Sequence, residues 1–176
     1  MPRRYEKKLC PLSIARTLVR LISRAQVPYL RTCMNSEKGQ EMATKMFVNV
    51  PVHDLKQSME FFAKLGFTFN PHFTDDTAAC MVVGEDSYVM LLTHDKFKIF
   101  TPKAICDATK STEVLVALSA ESRDNVDDMV RKAVAAGGTT YSAPQDHGFM
   151  YGHGFQDLDG HMWEVFYMDP SAIPQD

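Results

Sequence analysis

The sequence predicts an α+β fold of two β-α-β-β-β repeats whose curved sheets surround a cleft. Three observations carry this. The runs MFVNVPV (46–52) and EVLVALS (113–119) are β-rich, and each is followed by apolar residues at helical spacing. Each helical stretch meets glycine, Gly66 in one repeat and Gly137-Gly138 in the other, and strand-like segments resume beyond it. The stretch 152–168, GHGFQDLDGHMWEVFYM, reads as a β-hairpin. Its Asp157-Leu158-Asp159-Gly160 has Asp at the first position of a type I turn and Gly at the fourth, where a left-handed residue closes a three-residue loop. Neither repeat is large enough to bury a sheet face alone, so the two are expected to share a core.

Residues 1–41 mix nine Lys and Arg residues with short apolar pieces and only three acids. We read them as a basic leader, disordered or mistranslated, rather than as a working targeting signal, with Met42 as the functional start. The domain proper is expected over 42–174, with repeats at about 46–93 and 113–168. After the first strand, Asp54 and Gln57 form a capping pair, and Leu55, Met59, Phe62 and Ala63 give the helix its apolar face. Strands follow around 66–73, 78–83 and 88–93. Residues 94–109 read as a mostly helical connector with Pro102 in its first turn. In the second repeat the helix covers 122–136 with Val126, Met129, Val130 and Ala133 on one face. A short strand at 139–142, a loop at 144–148 and the hairpin complete it.

The hairpin turn fixes a register. Asp157 pairs with His161, Gln156 with Met162, Phe155 with Trp163, Gly154 with Glu164, His153 with Val165 and Gly152 with Phe166, and paired residues share a face. Glu164 therefore sits opposite glycines, which leave room for a cavity. It lies among Met162, Phe166 and Met168, where a buried acid is costly unless it meets a donor or a solvated cleft. His153 falls on the face opposite Glu164, and His161 falls at an exposed turn. His147 lies in a loop placed to fold over the cleft, although a solvated loop histidine is the simpler reading. Cys80 reads as a buried apolar thiol.

FVNVPVHDLKQSMEFFAKLGF, followed much later by FQDLDGHMWEVF, resembles the vicinal-oxygen-chelate superfamily of glyoxalases, extradiol dioxygenases and bleomycin-resistance proteins. AACMVVGEDSYVMLLT, TKSTEVLVALS and FMYGHGFQDLDGHMWEVFYMDPSAIP resemble its predicted lactoylglutathione-lyase-like branch. The resemblance covers 46–174 and implies the glyoxalase-like fold. It also implies four metal positions, which by motif fall on Phe47, Leu91, Leu115 and Glu164. Only Glu164 can bind metal, and one carboxylate cannot hold a transition ion against water, so no metal or other cofactor is expected. The expected site is an apolar cleft for a small organic molecule, lined by Phe47, Asn49, Leu91, Leu115, Met162 and Phe166. Glu164 would be the catalytic general base if the protein is a lyase or isomerase acting on a thiol adduct. The alternative is a non-catalytic protein that sequesters a drug-like compound.

The composition limits the partners. The chain is 45% hydrophobic and 23% charged, with a formal net charge of -3. Beyond the leader it is acidic and lacks the basic clusters a nucleic-acid surface needs. No apolar run is long enough to span a membrane. Cys10, Cys33, Cys80 and Cys106 show no CxxC spacing, consistent with free thiols in a cytoplasmic protein. A homodimer is expected, because each repeat presents a curved sheet with one face unpartnered.

Overall fold

The computed structural model describes residues 44–172. The leader expected over residues 1–41 lies outside them. Strand β1 (Met46–Val52) runs into helix α1 (Leu55–Leu65) through Asp54, whose Oδ1 accepts the Gln57 amide at 2.9 Å and whose Oδ2 accepts the Gln57 side chain at 2.8 Å. Such a cap is worth about 1 kcal/mol. At the far end Gly66 takes φ 104° and donates to the Ala63 carbonyl at 3.0 Å, which ends the helix where the glycine predicts. Strands β2 (Thr68–Asn70), β3 (Ala78–Val82) and β4 (Ser87–Thr93) complete a four-stranded sheet in the order β1-β4-β3-β2, with β1 and β4 parallel.

The connector departs from expectation. Only α2 (His94–Phe97) is helical, and Pro102 lies in no helix. Local side chains capture the backbone instead: Thr101 Oγ1 accepts the Lys103 amide at 3.2 Å, and Asp107 Oδ1 accepts the Thr109 amide at 3.1 Å and its hydroxyl at 2.6 Å. Ser, Thr and Asp compete with helical hydrogen bonds in this way.

The second repeat supplies β5 (Leu115–Ser119), α3 (Arg123–Ala135), β6 (Gln145–Asp146), β7 (Met150–Gln156) and β8 (Met162–Met168), ordered β5-β8-β7-β6. The strand expected at 139–142 shrinks to a single bridge between Thr139 and Gln156. Gln145 and Asp146, expected in a loop, pair instead with Gly152 and Tyr151. The hairpin register is the one its turn predicts at every pair from Gly152–Phe166 to Gln156–Met162. Gly160 takes φ 91°, and the Asp157 amide donates to the His161 carbonyl at 3.1 Å.

One core serves both sheets. Val48, Val50 and Val52 of β1 share a face with Val89 and Leu91 of β4, and α1 packs there. Val116, Leu118, Trp163, Val165 and Phe155 form the corresponding face of the second sheet, covered by Val126, Val130 and Ala133 of α3. Helix α1 also reaches this second sheet: the Phe62 and Trp163 rings lie 5.0 Å apart, and Phe61 and Phe155 lie 6.2 Å apart. Truncating any of these fully buried aromatics costs about 3–5 kcal/mol.

The two ends of the hairpin turn are buried, although its polar sequence suggested an exposed turn, while Leu158 at its tip is 41% exposed. Asp157 and His161 are both buried, because the end of β1 and the 107–113 segment pack on them. The His161 Nε2 lies 2.7 Å from the Pro51 carbonyl, and a Cβ on Gly160 would come within 2.9 Å of the Thr109 backbone nitrogen. Asp157 accepts from the Trp163 indole at 3.0 Å and from the His161 amide at 2.9 Å. Burial pushes its carboxyl up from the usual value, against the pull of the His161 charge and these two donors.

Candidate functional site

The face of the second sheet that carries Glu164 is not part of the core. Register places Ala117 of β5, Glu164 of β8 and Gly154 of β7 in one row, with Ser119, Phe166 and Gly152 in the next. A groove of about 440 Å3 opens over these rows, within the usual size of small-molecule sites. Its lining adds Met150, Met168 and Gln145 from the strands, Tyr141 to Ala143 from the loop after α3, and His147 just after β6.

Tyr141 decides the groove's shape. Its ring lies over Gly154, where a Cβ would come within 2.1 Å of the phenol oxygen, and its hydroxyl donates to the Trp163 carbonyl at 3.3 Å. The room expected opposite Glu164 is therefore filled at Gly154 by this ring. At Gly152 it stays open, since the nearest atom to an added Cβ is the Val165 carbonyl oxygen at 3.7 Å. Burial, and then the negative charge of Glu164, push the Tyr141 phenol up and keep it protonated. Glu164 itself is exposed on the groove wall and is not the buried acid its neighbours suggested. The apolar residues either side of it in sequence, Trp163 and Val165, point to the other face.

The β6 side of the groove is held by charge. Arg123, at the start of α3, reaches Asp146 Oδ1 at 2.9 Å and the Gly148 carbonyl at 3.0 Å, with its guanidinium 5.1 Å from the Tyr151 ring centroid. The Arg123 hydrogen bond and the Gly148 amide lower Asp146 to about 2. This clamp positions β6, which carries Gln145, and the turn after it, which carries His147. The His147 side chain lies 3.4 Å from that of Gln145. His153 contributes to the wall, while its Nδ1 turns toward Asp127 of α3 at 3.9 Å and has no hydrogen-bond partner among the described residues.

The expected site residues fall in three places. Glu164 and Phe166 line the groove. Leu115 and Met162 lie on the same face, one paired row beyond Ala117 and Glu164, and Leu115 is 46% exposed. Phe47 and Asn49 lie together on an exposed face of the first sheet, where Phe47 stacks on Tyr88 at 4.8 Å and is 49% exposed. Leu91 is the exception. It is fully buried in the core beside Val50, and Met90 takes the face shared with Phe47 and Asn49. A one-residue slip along a strand moves a side chain to the opposite face. Tyr141, Met150 and Ala117 are not singled out by the sequence, and Met168, expected beside Glu164, joins the lining. Ala117 and the two methionines share Glu164's side of the sheet and follow from strand alternation, whereas nothing in the pattern around Tyr141 announces its fold over Gly154.

With Met90 in the place of Leu91, three of the four positions implied for a metal carry apolar side chains. Among the described residues no group of three or more His, Cys, Asp or Glu side chains is placed to hold a metal ion. The donor set does not fit the metal, since transition ions need three or four N, O or S ligands.

Comparison with known proteins agrees with this architecture. A family model described as bleomycin resistance protein-like N-terminal matches residues 44–84. The solved structure of the hypothetical protein SA1046 from S. aureus is 30% identical, with TM-score 0.62, over 73% of this chain and 96% of that one. A glyoxalase/bleomycin resistance protein/dioxygenase family enzyme from Burkholderia phytofirmans PsJN matches with TM-score 0.60 at 17% identity, over 72% of this chain and 99% of the other. The chain has the fold of the vicinal-oxygen-chelate superfamily. A glyoxalase/bleomycin resistance protein/dioxygenase from Nocardioides matches with TM-score 0.57 at 23% identity, over 84% of this chain and 95% of the other. Comparison with curated proteins gives no match. Among the described residues no helix is long and apolar enough to cross a membrane.

Proposed function

We propose that this protein binds a small organic molecule in the groove of the second sheet, without a metal. The observation that carries the reading is the groove itself: Met150, Phe166 and Met168 give an apolar bed, and Glu164 with the Tyr141 loop supplies a few polar groups at one side. Such a lining binds by burying apolar surface and uses its few polar atoms for orientation. Sequestration of a drug-like compound needs nothing more.

The second reading is a lyase or isomerase acting on a thiol adduct. One observation favours it: the Glu164 carboxylate acts on the phenol of Tyr141, so a base and a protonated acid border the same groove. Glu164 would take a proton from carbon or sulfur, and the Tyr141 hydroxyl would steady the developing charge by turning its proton from the Trp163 carbonyl to the ligand.

A homodimer belongs to the proposal. Phe47, Leu115 and Met168 are large apolar side chains exposed on the outer faces of the two sheets, and a second copy is the partner whose matching faces cover them. We place the protein in the cytoplasm on its free cysteines, Cys80 and Cys106.

The test is to incubate purified protein with a metabolite extract, recover it by gel filtration and identify retained compounds by mass spectrometry. Binding and turnover of the identified compound are then compared in wild type and Glu164→Gln. Affinity retained with no turnover in either protein supports sequestration. Turnover by wild type that Glu164→Gln abolishes selects the enzyme reading, and the absence of any retained compound contradicts both.

A further inference from the structure

A second cavity, of about 430 Å3, is formed where the end of β1 meets the hairpin turn and the connector, and it shares no lining residue with the groove. Its polar walls are His53, His94, Lys98, Asp107, Asp159 and His161. Most of these groups are already committed. Asp159, with its side chain 8% exposed, accepts from the His53 amide at 2.8 Å and the Ser58 hydroxyl at 3.2 Å, and meets His53 Nδ1 at 2.7 Å. Asp107 accepts from Lys110 and Thr109, which hold it at about 2. His161 is spanned by the Pro51 carbonyl and Glu113, whose Oε1 lies 3.2 Å from its Nδ1. The Cys106 thiol is occupied by Ser111.

The remaining capacity is basic. With Nδ1 of His53 directed at Asp159, its Nε2 is the nitrogen available to a ligand. The His94 ring lies 4.3 Å from the His53 ring, centroid to centroid. Lys98 has only a loose ion pair, 3.5 Å to Asp95, with both side chains largely exposed. Burial, and then the neighbouring His53, hold His94 below the usual histidine value. Two imidazoles this close oppose each other's charging, and an anion seated beside them reverses that opposition. Pro51, Ala104 and Ile105 add an apolar wall.

We propose that this cavity is a second ligand site that takes a phosphate head group carried on a small organic body, held by His53, His94 and Lys98. Each supplies an N–H toward the phosphate oxygens, and charge-assisted bonds of this kind are the strong ones. The two carboxylates that line the cavity, Asp107 and Asp159, are engaged by donors of their own, so repulsion of the phosphate is reduced. Metal chemistry fits less well, because no three donor side chains converge among the described residues.

The test is a titration of the full chain, with 15N-labelled histidines, using phenyl phosphate, inorganic phosphate and sulfate at constant ionic strength. The His53 and His94 ring signals should shift saturably, phenyl phosphate should saturate at the lowest concentration, and the exposed His72 should not respond. Sulfate keeps its charge across the range, so its affinity should fall about tenfold from about pH 6 to about pH 8 as His94 loses its proton. His94→Ala and Lys98→Ala should each weaken phenyl phosphate about tenfold or more while melting temperature holds. A lack of saturable shifts, an equal response of His72, or unchanged affinity in Lys98→Ala would overturn the proposal. So would ring shifts with Zn2+ and none with the anions, which would make the cavity a metal site.

Discussion

Gly154→Ala is predicted to destabilise the protein through one contact. The added Cβ would lie 2.1 Å from Tyr141 Oη and 2.3 Å from Cζ, far inside contact distance, so the ring must leave. Leaving breaks the 3.3 Å bond from the hydroxyl to the Trp163 carbonyl, worth about 1 kcal/mol, and unseats a ring packed against the strand, at about 1–3 kcal/mol. Alanine in place of glycine within a strand returns about 0.5–1 kcal/mol, because Gly154 has no positive φ to protect. The net loss is about 1–3 kcal/mol, read as a lower urea midpoint at unchanged slope. In a Tyr141→Ala background the same substitution should be neutral or stabilise slightly, and the double-mutant cycle isolates the clash. An equal effect of Gly154→Ala in both backgrounds would refute the placement of Tyr141.

Arg123→Ala should return Asp146 from about 2 toward its ordinary 3.8. A lowered carboxyl stabilises the fold above its unfolded value and loses that contribution as pH falls through the folded one, so the variant should show a flatter stability profile between about pH 4 and 2. An Asp146 titration unmoved by the substitution would contradict the clamp. Trp163→Phe keeps an aromatic ring but leaves a cavity in the core and removes a donor from buried Asp157, the lost donor alone costing about 1–3 kcal/mol. Because burial already raises Asp157, losing the donor raises it further; the penalty should grow from acidic to neutral pH in thermal melts and be smallest below the unfolded carboxylate value. Protein purified without chelator should carry no stoichiometric transition metal by elemental analysis, and about one equivalent lost in Glu164→Ala would contradict the donor-set reading. Light scattering should give twice the chain mass at micromolar concentration; a monomer there contradicts the dimer.

The legible parts of the sequence were those where local chemistry leaves one solution. Asp157 and Gly160 fix the hairpin turn, and strand alternation then carries the register to Gly152–Phe166 without further information. Asp54 and Gly66 bound α1 for equally local reasons. Motif counting was less secure where no turn anchored it: Leu91 and Met90 are both apolar, so the sequence around them does not say which faces the core. Glu164 is exposed because the face it shares with Met162, Phe166 and Met168 opens into the groove, and nothing in the local pattern says that this face is left uncovered. The burial of Asp157 and His161 depends on Pro51, Glu113 and the 107–109 turn, residues about 50 to 110 positions away, and no local signal carries that.

Blocking the groove while leaving the rest of the fold intact tests the central claim most directly. Gly152 is the place, since an added Cβ meets nothing closer than 3.7 Å and a larger side chain there projects over the apolar bed. Gly152→Phe and wild type, matched in melting temperature, are incubated with the same metabolite extract, and retained compounds are compared by mass spectrometry. The groove reading predicts a small organic compound retained by wild type and lost from Gly152→Phe; retention of the same compound by both proteins would show that it binds elsewhere.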